Sequence, residues 1–599
     1  MRTLRIALAQ INTVVGDISG NLLKIFAAME QAKEKGVDLI AFPEMALTGY
    51  PPEDLLLKQY FIRDNVKALR RIVERSSGLA VVVGFVDSQR DGSEKLYNAA
   101  AIICEKEVKY IYHKCHLPNY GVFDEARYFQ AGQSAPVFVL NGAVIGINIC
   151  EDIWTPDGPT RTQTIQGGAE VIINISASPY RIGISDLREK MLATWAKGHR
   201  TIIAYLNMVG GQDELVFDGA SLIFNERGRL LARAPAFQES LLLADISLDA
   251  VKRARLHDPR WRPHFRKPFE IQVDLPSNKK GTQRLPCIRS KKYAQNEEIY
   301  QALMLGLSDY VQKNRFKKVI VALSGGIDSA ITAVIAVDAL GSDRVAGLFM
   351  PSRYTSRESI EDVEKLSKNI KINLTSIPIE PAIHAYSASL ADLFLGYPED
   401  STEENLQSRI RSNIMMALSN KFGWLVLTTG NKSEMSVGYA TLYGDMAGGF
   451  AVIKDVWKTV VYQLAFHRNK GGSGRQGKVI PNRVLTRPPT AELRFNQTDQ
   501  DTLPPYELLD PILAAYLEED RSPDEIVGMG FDPATVSSVI TLVDRSEFKR
   551  RQAPVGVKIT SKAFGKDRRM PITNGYRVFS QGLKRPFGRT NGVGNKKVV

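Results

Sequence analysis

The stretch of residues 317–330, KKVIVALSGGIDSA, constrains the fold of this 599-residue chain more than any other. An apolar run over residues 319–323 leads into a loop with two glycines, and apolar positions at helical spacing follow from Ala330. Glycines let the backbone approach an anion closely, and the first N–H groups of a helix point towards it. A strand that turns on glycines into a helix therefore predicts a phosphate site within an α/β unit.

Side chains of this loop indicate which phosphate chemistry it serves. Ser324 and Ser329 offer hydroxyl donors, whereas Asp328 would repel a phosphate unless a cation such as Mg²⁺ lay between them. A Walker loop, GxxxxGK[ST], would need a lysine that this loop lacks. The loop instead resembles the SGGxDS loop of the ATP pyrophosphatases, which implies cleavage of ATP between its α and β phosphates. A plain Gly-Ser turn after a buried strand is the alternative interpretation.

Length and charge exclude several other classes of protein. A chain this long exceeds one hydrophobic core, so two or three domains are expected. The net charge of +13 is unevenly placed, because residues 251–292 hold thirteen Lys and Arg against three acids. Residues 551–599 hold twelve against one, Asp567. The remaining residues are net acidic, which argues against a nucleic-acid partner.

Cysteine content and hydropathy predict a cytoplasmic protein with no membrane partner. Four cysteines in so long a chain make no disulfide framework and fit a reducing compartment. The N-terminal residues MRTLRIALAQ lead directly into a predicted strand, so no signal peptide is expected. The sequence also has no apolar run of the length that a membrane span needs.

Residues 1–250 alternate between predicted strands and helices, which indicates an α/β layered domain. Several strands are continuous apolar runs, as expected when both faces are buried. The predicted strands cover residues 4–9, 38–42, 79–86, 99–104, 108–112, 143–149, 171–175, 201–206 and 221–224, and the predicted helices include 21–35 and 59–76.

Three of these strands end in side chains that can do chemistry: Glu44, Lys114 and Cys150. Each alone has an ordinary explanation, as a solvated strand end, a paired lysine or a small hydrophobic residue. Together, and in this order, they resemble the Glu-Lys-Cys triad of the nitrilase superfamily. The ammonium would lower the pKa of the thiol and hold an oxyanion, while the carboxylate would transfer the proton. His113 and His116 flank Lys114, but no second Cys/His cluster supports zinc.

A basic connector and a second catalytic unit follow. Residues 251–292 are rich in Arg, Lys and Pro and predict a connector that wraps a surface. In the second unit, residues 293–580, the predicted elements are a helix at 297–314 and strands at 319–323, 345–350, 374–378 and 424–428. This alternation predicts a doubly wound parallel sheet, with its ligand at the carboxyl ends of the strands.

Several further motifs narrow the family. The SGGxDS loop alone would also fit GMP synthetase, asparagine synthetase or tRNA-thiolating enzymes. The chain adds LPNYGVFDE at 117–125, GGQDELVFDG at 210–219, TGNKSE at 429–434 and LPPYELLD at 503–510. With them it resembles the glutamine-dependent NAD⁺ synthetases from Glu44 to Met570. That resemblance implies a nitrilase-like α-β-β-α sandwich joined to a Rossmann-like ATP-pyrophosphatase domain.

The resemblance also implies a role for each matching residue. Glu44 would be the base, Lys114 the oxyanion support and Cys150 the nucleophile. The glutamine pocket would be lined by Tyr50, Tyr120, Glu125 and Ser178. ATP would contact Ser324, Gly325, Gly326, Asp328, Ser329 and Thr429, and Mg²⁺ would be held by Asp328 and Glu434. Deamido-NAD⁺ or its adenylate would lie near Arg409, Asp445, Lys458, Thr490 and Lys558.

The chain departs from the family pattern at two places, and its C-terminal part is strongly basic. Thr490 stands where the family pattern has Ser, which keeps the hydroxyl. The insertion GGSGRQGK at 471–478 and the basic tail at 581–599 match no motif and are expected to be flexible. Residues 558–569 carry five cations, so we predict that this segment folds over the synthetase site and contacts anionic substrates.

The implied activity is that of an amidotransferase with two domains. The first would hydrolyse glutamine to glutamate and ammonia, and the second would activate the carboxylate of deamido-NAD⁺ with ATP and Mg²⁺. Ammonia would then give NAD⁺ and AMP, and the resemblance also implies an ammonia tunnel and a homo-oligomer. The alternatives are an amidotransferase for another carboxylate, or a scaffold or nucleic-acid-binding protein with vestigial sites. The intact Glu-Lys-Cys and SGGxDS residues argue against the scaffold or nucleic-acid-binding protein, and only the motifs after residue 430 exclude another carboxylate.

Overall fold

The computed structural model describes residues 2–88, 95–258, 270–273, 288–474, 477–495 and 497–576, and the statements below refer to these residues. None of the helices in these ranges is long and apolar enough to cross a membrane. The cysteines in these ranges, Cys104, Cys115 and Cys150, are free thiols.

The N-terminal half folds into two sheets that face each other. Its strands are β1 (Thr3–Gln10), β2 (Leu39–Ala41), β3 (Ala80–Ser88), β4 (Leu96–Cys104), β5 (Glu107–His113), β6 (Val137–Leu140), β7 (Ala143–Ile149), β8 (Val171–Ser176), β9 (Ile202–Asn207), β10 (Val209–Gln212), β11 (Leu215–Asp218), β12 (Leu222–Phe224), β13 (Leu230–Arg233), β14 (Ser240–Ser247) and β15 (Glu270–Val273). The first sheet has the order β14-β1-β2-β3-β4-β5, and the second has the order β13-β12-β9-β8-β7-β6-β15. Strands β10 and β11 pair separately.

Helices cover the outer faces of both sheets. They are α1 (Ile18–Glu34), α2 (Gln59–Glu74), the single turn α3 (Pro159–Arg161), α4 (Ile184–Gly198) and α5 (Leu248–Leu256). The alternation of β1 explains the layers, because Ile6 and Leu8 lie in the core between the sheets. Ala7 and Ala9 instead face the core beneath α1 and α2. The predicted α-β-β-α sandwich is confirmed.

The C-terminal half is built on a five-stranded parallel sheet. Its strands are β16 (Val319–Leu323), β17 (Val345–Phe349), β18 (Asn373–Ser376), β19 (Leu425–Thr428) and β20 (Phe450–Ala451), in the order β18-β17-β16-β19-β20. Because β16 pairs in parallel with both β17 and β19, the strand order reverses beside β16. A reversal of this kind leaves a crevice at the carboxyl ends of the strands, where ligands bind.

Helices lie on both faces of this sheet, which confirms the doubly wound prediction. The helices of this half are α6 (Gln295–Lys313), α7 (Ile327–Leu340), α8 (Arg357–Ile370), α9 (Glu380–Leu390), α10 (Ser401–Phe422), α11 (Lys432–Val437), α12 (Lys458–Asn469), α13 (Asn482–Thr486), α14 (Tyr506–Leu517), α15 (Pro523–Gly528), α16 (Pro533–Arg545) and α17 (Glu547–Arg550). Val319 and Val321 pack with α6, α7 and α12, whereas Ile320 packs with α10 on the other face.

The structure adds elements that the sequence did not predict. Strand β14 pairs antiparallel with β1 along its whole length, from Thr3 opposite Ser247 to Gln10 opposite Ser240. Strand β15 lies within the predicted connector and pairs with β6, while α5 runs across the predicted boundary at residue 250. Parts of three predicted segments lie outside the described residues: 259–269 and 274–287 of the connector, 475–476 of the insertion, and the tail 581–599.

Helix α6 joins the two halves. It packs against β10, where Asp309 Oδ2 accepts hydrogen bonds from Asn12 Nδ2 and from the N–H of Gly211, both at 2.7 Å. Lys313 on the next turn donates to the carbonyl oxygen of Gly211 at 2.7 Å. The buried carboxylate and ammonium therefore fix the C-terminal half against the N-terminal half.

The second joining segment is residues 554–569, which we call the interdomain strap. On one side, the N–H of Lys558 donates to the carbonyl oxygen of Glu214 in the N-terminal half at 2.8 Å. On the other side, the N–H of Ala451, in β20, donates to the carbonyl oxygen of Val555 at 2.8 Å. The interdomain strap thus bonds through its backbone to both halves.

Candidate active sites

Strand ends from both N-terminal sheets meet at the first site. Glu44 follows β2 and Lys114 follows β5 in the first sheet, whereas Cys150 follows β7 in the second. The loop that carries Glu44 runs close to β3 at Gly84, where a Cβ would lie 2.3 Å from the carbonyl oxygen of Pro43. Only glycine fits there. The structure therefore brings the three predicted residues together.

Lys114 is fully buried and lies between two carboxylates. Its Nζ donates to Glu44 Oε1 at 2.7 Å and to Glu125 Oε1 and Oε2 at 2.8 and 2.9 Å. Burial alone would lower the pKa of the lysine, but Glu125 and Glu44 outweigh it and raise that pKa well above its ordinary value. Lys114 therefore remains an ammonium.

Cys150 occupies an unusual backbone position beside this cluster. Its φ is 43°, in the left-handed region that few residues other than glycine adopt, and its side chain is buried. Burial and the Glu44 carboxylate raise the pKa of the thiol well above its ordinary value, while Lys114 lowers it. The predicted lowering by Lys114 is thus present but outweighed, so the resting thiol keeps its proton.

Glu125, predicted to line the glutamine pocket, contacts the lysine directly. Its Oε1 also accepts a hydrogen bond from Tyr50 Oη at 2.9 Å. Asn98 Nδ2 donates to both Glu44 at 2.6 Å and Glu125 at 3.3 Å, which ties the two carboxylates together. Burial raises the pKa of Glu125 to about 7, although Lys114 opposes the rise.

Tyr120 and Ser178, the other residues predicted to line the glutamine pocket, are buried to different extents. Tyr120 is 58% exposed, and its Oη donates to Glu151 Oε2 at 2.9 Å. Ser178 is buried, its N–H donates to Asn207 Oδ1 at 2.8 Å, and its Oγ accepts from Arg188 Nη2 at 3.3 Å. Tyr120 therefore lies at the rim, whereas Ser178 belongs to a buried polar network.

Sequence reasoning missed several buried polar residues around the site. Arg188 is fully buried and pairs with Asp218 at 2.9 Å. Asn98 interrupts the apolar strand β4, and Asp152 lies two residues after Cys150. A polar residue inside an apolar run is a weak signal of a buried network, and it was the one available signal for Asn98.

The second site is a cleft of about 930 Å³ at the carboxyl ends of β16 and β19. The predicted ATP and metal residues line it: Ser324, Gly325, Gly326, Asp328, Ser329, Thr429 and Glu434. Gly325 has a φ of 87°, and a Cβ there would lie 2.8 Å from Ser359 Cβ, so the turn requires glycine. Ser329 Oγ accepts from the N–H of Ser324 at 3.2 Å and donates to the carbonyl oxygen of Gly326 at 3.0 Å, which holds the loop in shape.

Lys458 lies between the two predicted metal ligands of this cleft. Its Nζ donates to Asp328 Oδ2 at 2.5 Å and to Glu434 Oε1 at 3.1 Å. Burial raises the pKa of Glu434 to about 8 despite the lysine. Asn431 Nδ2 fixes the other oxygen of Asp328 at 3.0 Å. The two carboxylates thus already share one cationic group.

This carboxylate pair fits Mg²⁺. Within the described ranges no group of three or more His, Cys, Asp and Glu side chains could hold a metal ion. Mg²⁺ is usually bound through one or two carboxylates, with phosphates and water as its other ligands. Asp328 and Glu434 meet that requirement beside a loop whose backbone suits phosphate.

The predicted dinucleotide residues divide into two groups. Asp445, Lys458 and Thr490 line the cleft. Arg409 does not, because it is exposed and its Nε donates to the carbonyl oxygen of Leu442 at 3.2 Å. Residues two apart on a helix point in nearly opposite directions, and Arg411 is the arginine of α10 that lines the cleft. The structure therefore brings Arg411, and not the predicted Arg409, to the cleft.

Lys558 also lies outside the cleft lining, contrary to the prediction. Its Nζ donates to the carbonyl oxygen of Thr560 at 2.8 Å and to Asp567 Oδ2 at 2.5 Å. Other strap cations have carboxylate partners: Lys562 pairs with Asp520, Lys566 with Glu53 and Arg568 with Glu547. The segment therefore packs between the halves rather than over the synthetase cleft.

Two family models match the chain, one for each half. Residues 5–256 match the model described as carbon-nitrogen hydrolase. Residues 299–553 match the model described as NAD synthase. Each model covers one of the two sites.

Individual relatives match across both halves. A glutamine-dependent NAD(+) synthetase from Thermotoga maritima is 48% identical over 580 residues, which cover 96% of this chain and 100% of the relative. One from Aquifex aeolicus is 48% identical over 577 residues, 95% of this chain and 99% of the relative. A solved glutamine-dependent NAD+ synthetase from Acinetobacter baumannii, in complex with adenosine diphosphate, is 40% identical with a TM-score of 0.73. That match covers 96% of this chain and 100% of the solved chain.

Proposed function

This chain belongs to the glutamine-dependent NAD(+) synthetases, and from that premise we propose which of its residues carry the two half-reactions. The enzyme is a ligase that forms a C–N bond with glutamine as the nitrogen donor. Ammonia released from glutamine amidates adenylated deamido-NAD⁺ to give NAD⁺, AMP and pyrophosphate. ATP is a co-substrate of this family.

We propose that residues 1–250 release ammonia through Cys150 as nucleophile and Glu44 as base. Because the resting thiol keeps its proton, Glu44 takes that proton as Sγ attacks the amide carbonyl carbon. Glu44 then returns the proton to the departing ammonia, and water opens the thioester with Glu44 again as base. Lys114 stabilises the oxyanion, while Glu125 holds the ammonium in place with both oxygens.

The observation that carries this assignment is the 2.7 Å hydrogen bond between buried Lys114 and Glu44. The charges of both residues act on the buried thiol of Cys150. A purely structural lysine would also neutralise two carboxylates. It would give no reason for a thiol on a left-handed backbone at the end of a strand from the opposite sheet. Tyr50, Tyr120 and Ser178 then surround the space that glutamine would occupy.

For the C-terminal half, residues 293–580, we propose that the loop around Ser324 and Gly326, with Ser329 and Thr429, binds the ATP phosphates. Asp328 and Glu434 hold Mg²⁺, and bound Mg²⁺ supplies positive charge that offsets the phosphates. The remaining cleft residues Asp445, Lys458 and Thr490 bind deamido-NAD⁺ or its adenylate. The support is that all of these residues line one cleft at the point where the strand order reverses.

Alkylation of the intact enzyme tests the nucleophile. The protein is treated with iodoacetamide, the modified cysteine is mapped, and NAD⁺ formation is measured with ATP and Mg²⁺ and either amide-¹⁵N glutamine or ammonium. We expect modification of Cys150 to stop ¹⁵N transfer while ammonium-driven synthesis continues. Loss of transfer that tracks modification of any other cysteine instead would overturn the assignment.

We also propose a cytoplasmic homo-oligomer in which a second copy covers α9 and the turn after it. The described cysteines are free thiols, as in a reducing compartment. Tyr386, Leu393 and Leu395 are 45%, 73% and 83% exposed, more apolar surface than one surface segment usually leaves in water. Light scattering should report a defined oligomer that Leu393→Asp with Leu395→Asp dissociates; an unchanged mass would exclude this interface.

A further inference from the structure

Asp152 connects the two sheets at the first site through four hydrogen bonds. Its Oδ1 accepts from the N–H groups of Cys115 at 3.1 Å and His116 at 2.9 Å, on the turn that carries Lys114. Its Oδ2 accepts from the N–H of Ile149 at 3.0 Å, immediately before Cys150. Oδ2 also accepts from Tyr112 Oη at 2.7 Å.

These contacts cross the boundary on which the proposed chemistry depends. Lys114 follows β5 of the first sheet and Cys150 follows β7 of the second, and no strand pairing joins those two sheets within the described residues. The carboxylate of Asp152 is fully buried, so its four donors have no competing water. The carboxylate of Asp152 therefore ties the two turns directly to each other.

We propose that Asp152 is a positioning residue that fixes the Cys150 thiol relative to the Lys114 ammonium. This inference rests on the proposed roles of Cys150 and Lys114. Asp152 touches neither glutamine nor the reacting atoms. Its effect is on geometry: the ammonium can stabilise the oxyanion, and the thiolate that precedes it, only while the two turns keep their separation.

A second carboxylate, that of Glu44, also connects the two sheets at this site. Glu44 Oε2 accepts from the N–H of Ala177 at 2.9 Å, and Ala177 follows β8 of the second sheet. Glu44 thus joins the sheets on one side of the site and Asp152 joins them on the other. Glu44 is also the proposed base, whereas Asp152 is left with positioning alone.

The decisive variant is Asp152→Asn. An asparagine oxygen can accept from the turn of Lys114, but its NH₂ group would face the N–H of Ile149, which then lacks an acceptor. We expect the kcat of glutamine hydrolysis to fall on the order of 10²-fold, with the KM for glutamine within about threefold. Ammonium-driven NAD⁺ synthesis should stay within about twofold of wild type, because the second site is unchanged.

The pH dependence of Cys150 alkylation separates positioning from charge. Removing a nearby negative charge alone would lower the apparent pKa of the thiol. Losing the alignment of Lys114 would raise it, because an ammonium stabilises the thiolate only at short range. We expect the alkylation profile of Asp152→Asn to move to higher pH, and a shift to lower pH or no shift overturns the proposal.

Asp38→Asn is the matched control. Asp38 is also a buried carboxylate of the first sheet, and its Oδ2 accepts from the N–H of Arg5 at 2.7 Å. It precedes β2, at the opposite end of the strand from Glu44. This control should lower thermal stability without moving the alkylation profile, and identical profiles for the control and Asp152→Asn contradict positioning.

If Asp152→Asn does not fold, Tyr112→Phe tests whether Asp152 positions Cys150 relative to Lys114. It removes one of the four donors and leaves the carboxylate in place. A loss of about threefold or more in glutamine kcat, with the profile displaced to higher pH, supports the proposal, and wild-type values overturn it. If alkylation of Cys150 leaves glutamine hydrolysis intact, the proposed function fails instead, so the two failures are distinguishable.

Discussion

The two active sites each place one buried lysine between two carboxylates, but the carboxylates differ in exposure. We call the first site, around Lys114, the closed site and the second, around Lys458, the open site. Lys114 lies 2.7 Å from Glu44 and 2.8 Å from Glu125. Lys458 lies 2.5 Å from Asp328 and 3.1 Å from Glu434. The same three kinds of group are thus assembled twice, once in each half of the chain, and we call each lysine with its two carboxyl groups a triad.

Exposure separates the two triads. The side chains of Glu44 and Glu125 are 0% and 5% exposed, whereas those of Asp328 and Glu434 are each 17% exposed and face the cleft. In the closed site Glu125 and Glu44 outweigh burial and raise the pKa of Lys114, so Lys114 keeps its charge. In the open site the proposed Mg²⁺ would compete with Lys458 for the two carboxylates that face the cleft.

The largest expected effect isolates the closed site. Cys150→Ala should lower glutamine-driven synthesis by about 10⁴-fold or more, because no nucleophile remains to release ammonia. Ammonium-driven synthesis should stay within about twofold of wild type. NAD⁺ formation with each nitrogen source measures both, and retained glutaminase turnover in this variant would remove Cys150 from its proposed role.

The next effect isolates the open site. Asp328→Asn should lower synthesis by roughly 10²–10³-fold with either nitrogen source, because the cation that offsets the phosphates loses a ligand. Glutamate release, measured separately, should persist and serves as the control for folding. Near-normal ammonium-driven activity would show that the loop assignment is wrong.

Removing each lysine tests whether the two triads really differ. In Lys458→Met we expect Mn²⁺, followed by its electron paramagnetic resonance signal without nucleotide, to bind about tenfold more tightly than in wild type. The lysine no longer competes for the carboxylates. Lys114→Met, the matched variant in the closed site, should bind no Mn²⁺ there. Equal Mn²⁺ affinity for wild type and Lys458→Met would contradict the comparison.

The pH dependence of stability provides a smaller test of the closed triad. The pKa of Glu125 is raised from 4.5 to about 7, so the folded protein keeps a proton that the unfolded chain releases. Stability from this group therefore falls as pH rises through that interval. Glu125→Gln should flatten the decline by on the order of 1 kcal/mol. Thermal unfolding of both proteins between pH 5 and 7.5 (roughly that interval) checks it, and parallel curves would refute it.

The smallest expected effect on catalysis concerns a lysine outside both triads. Lys558→Met should change the KM for deamido-NAD⁺ less than about twofold, because Lys558 contacts Asp567 rather than the cleft. The cost should appear as about 1–3 kcal/mol of stability, since Asp567 loses a buried partner. Steady-state kinetics measure the KM for deamido-NAD⁺ in Lys558→Met and, for comparison, in Lys458→Met. A tenfold rise in KM for Lys558→Met would support the prediction that Lys558 contacts deamido-NAD⁺.

Local patterns were sufficient to predict the parts of the fold that depend on neighbouring residues. The loop at Ser324 was predictable because a β-branched run, two glycines and a helical pattern follow one another directly. Pairings between distant residues were not: β14 bonds to β1 across the whole N-terminal half, and nothing within SLLLADIS specifies that partner. Short strands such as β10 and β11 carry too few residues to show a period.

Sequence alone could not place a residue where the direction of its side chain decides what it contacts. Arg409 and Arg411 are equally plausible from sequence, and only the orientation of α10 selects the second. Glu125 was recognised as a site residue, but its contact with Lys114 depends on how a loop returns to β5. Asp152 carries no periodic signal, because its four donors come from backbone groups and a tyrosine that converge only in three dimensions.

The interdomain strap has a consequence for how the chain is made. Residues 554–569 come near the end of the C-terminal half, after every residue that lines the cleft of the second site, so a ribosome synthesises them after most of what they hold together. Each half can fold while it emerges, since domains generally fold as units during synthesis. The backbone hydrogen bonds that the strap makes to both halves cannot form until the strap has left the exit tunnel. A nascent chain could therefore carry a finished glutaminase fold well before it carries an enzyme able to use the ammonia released.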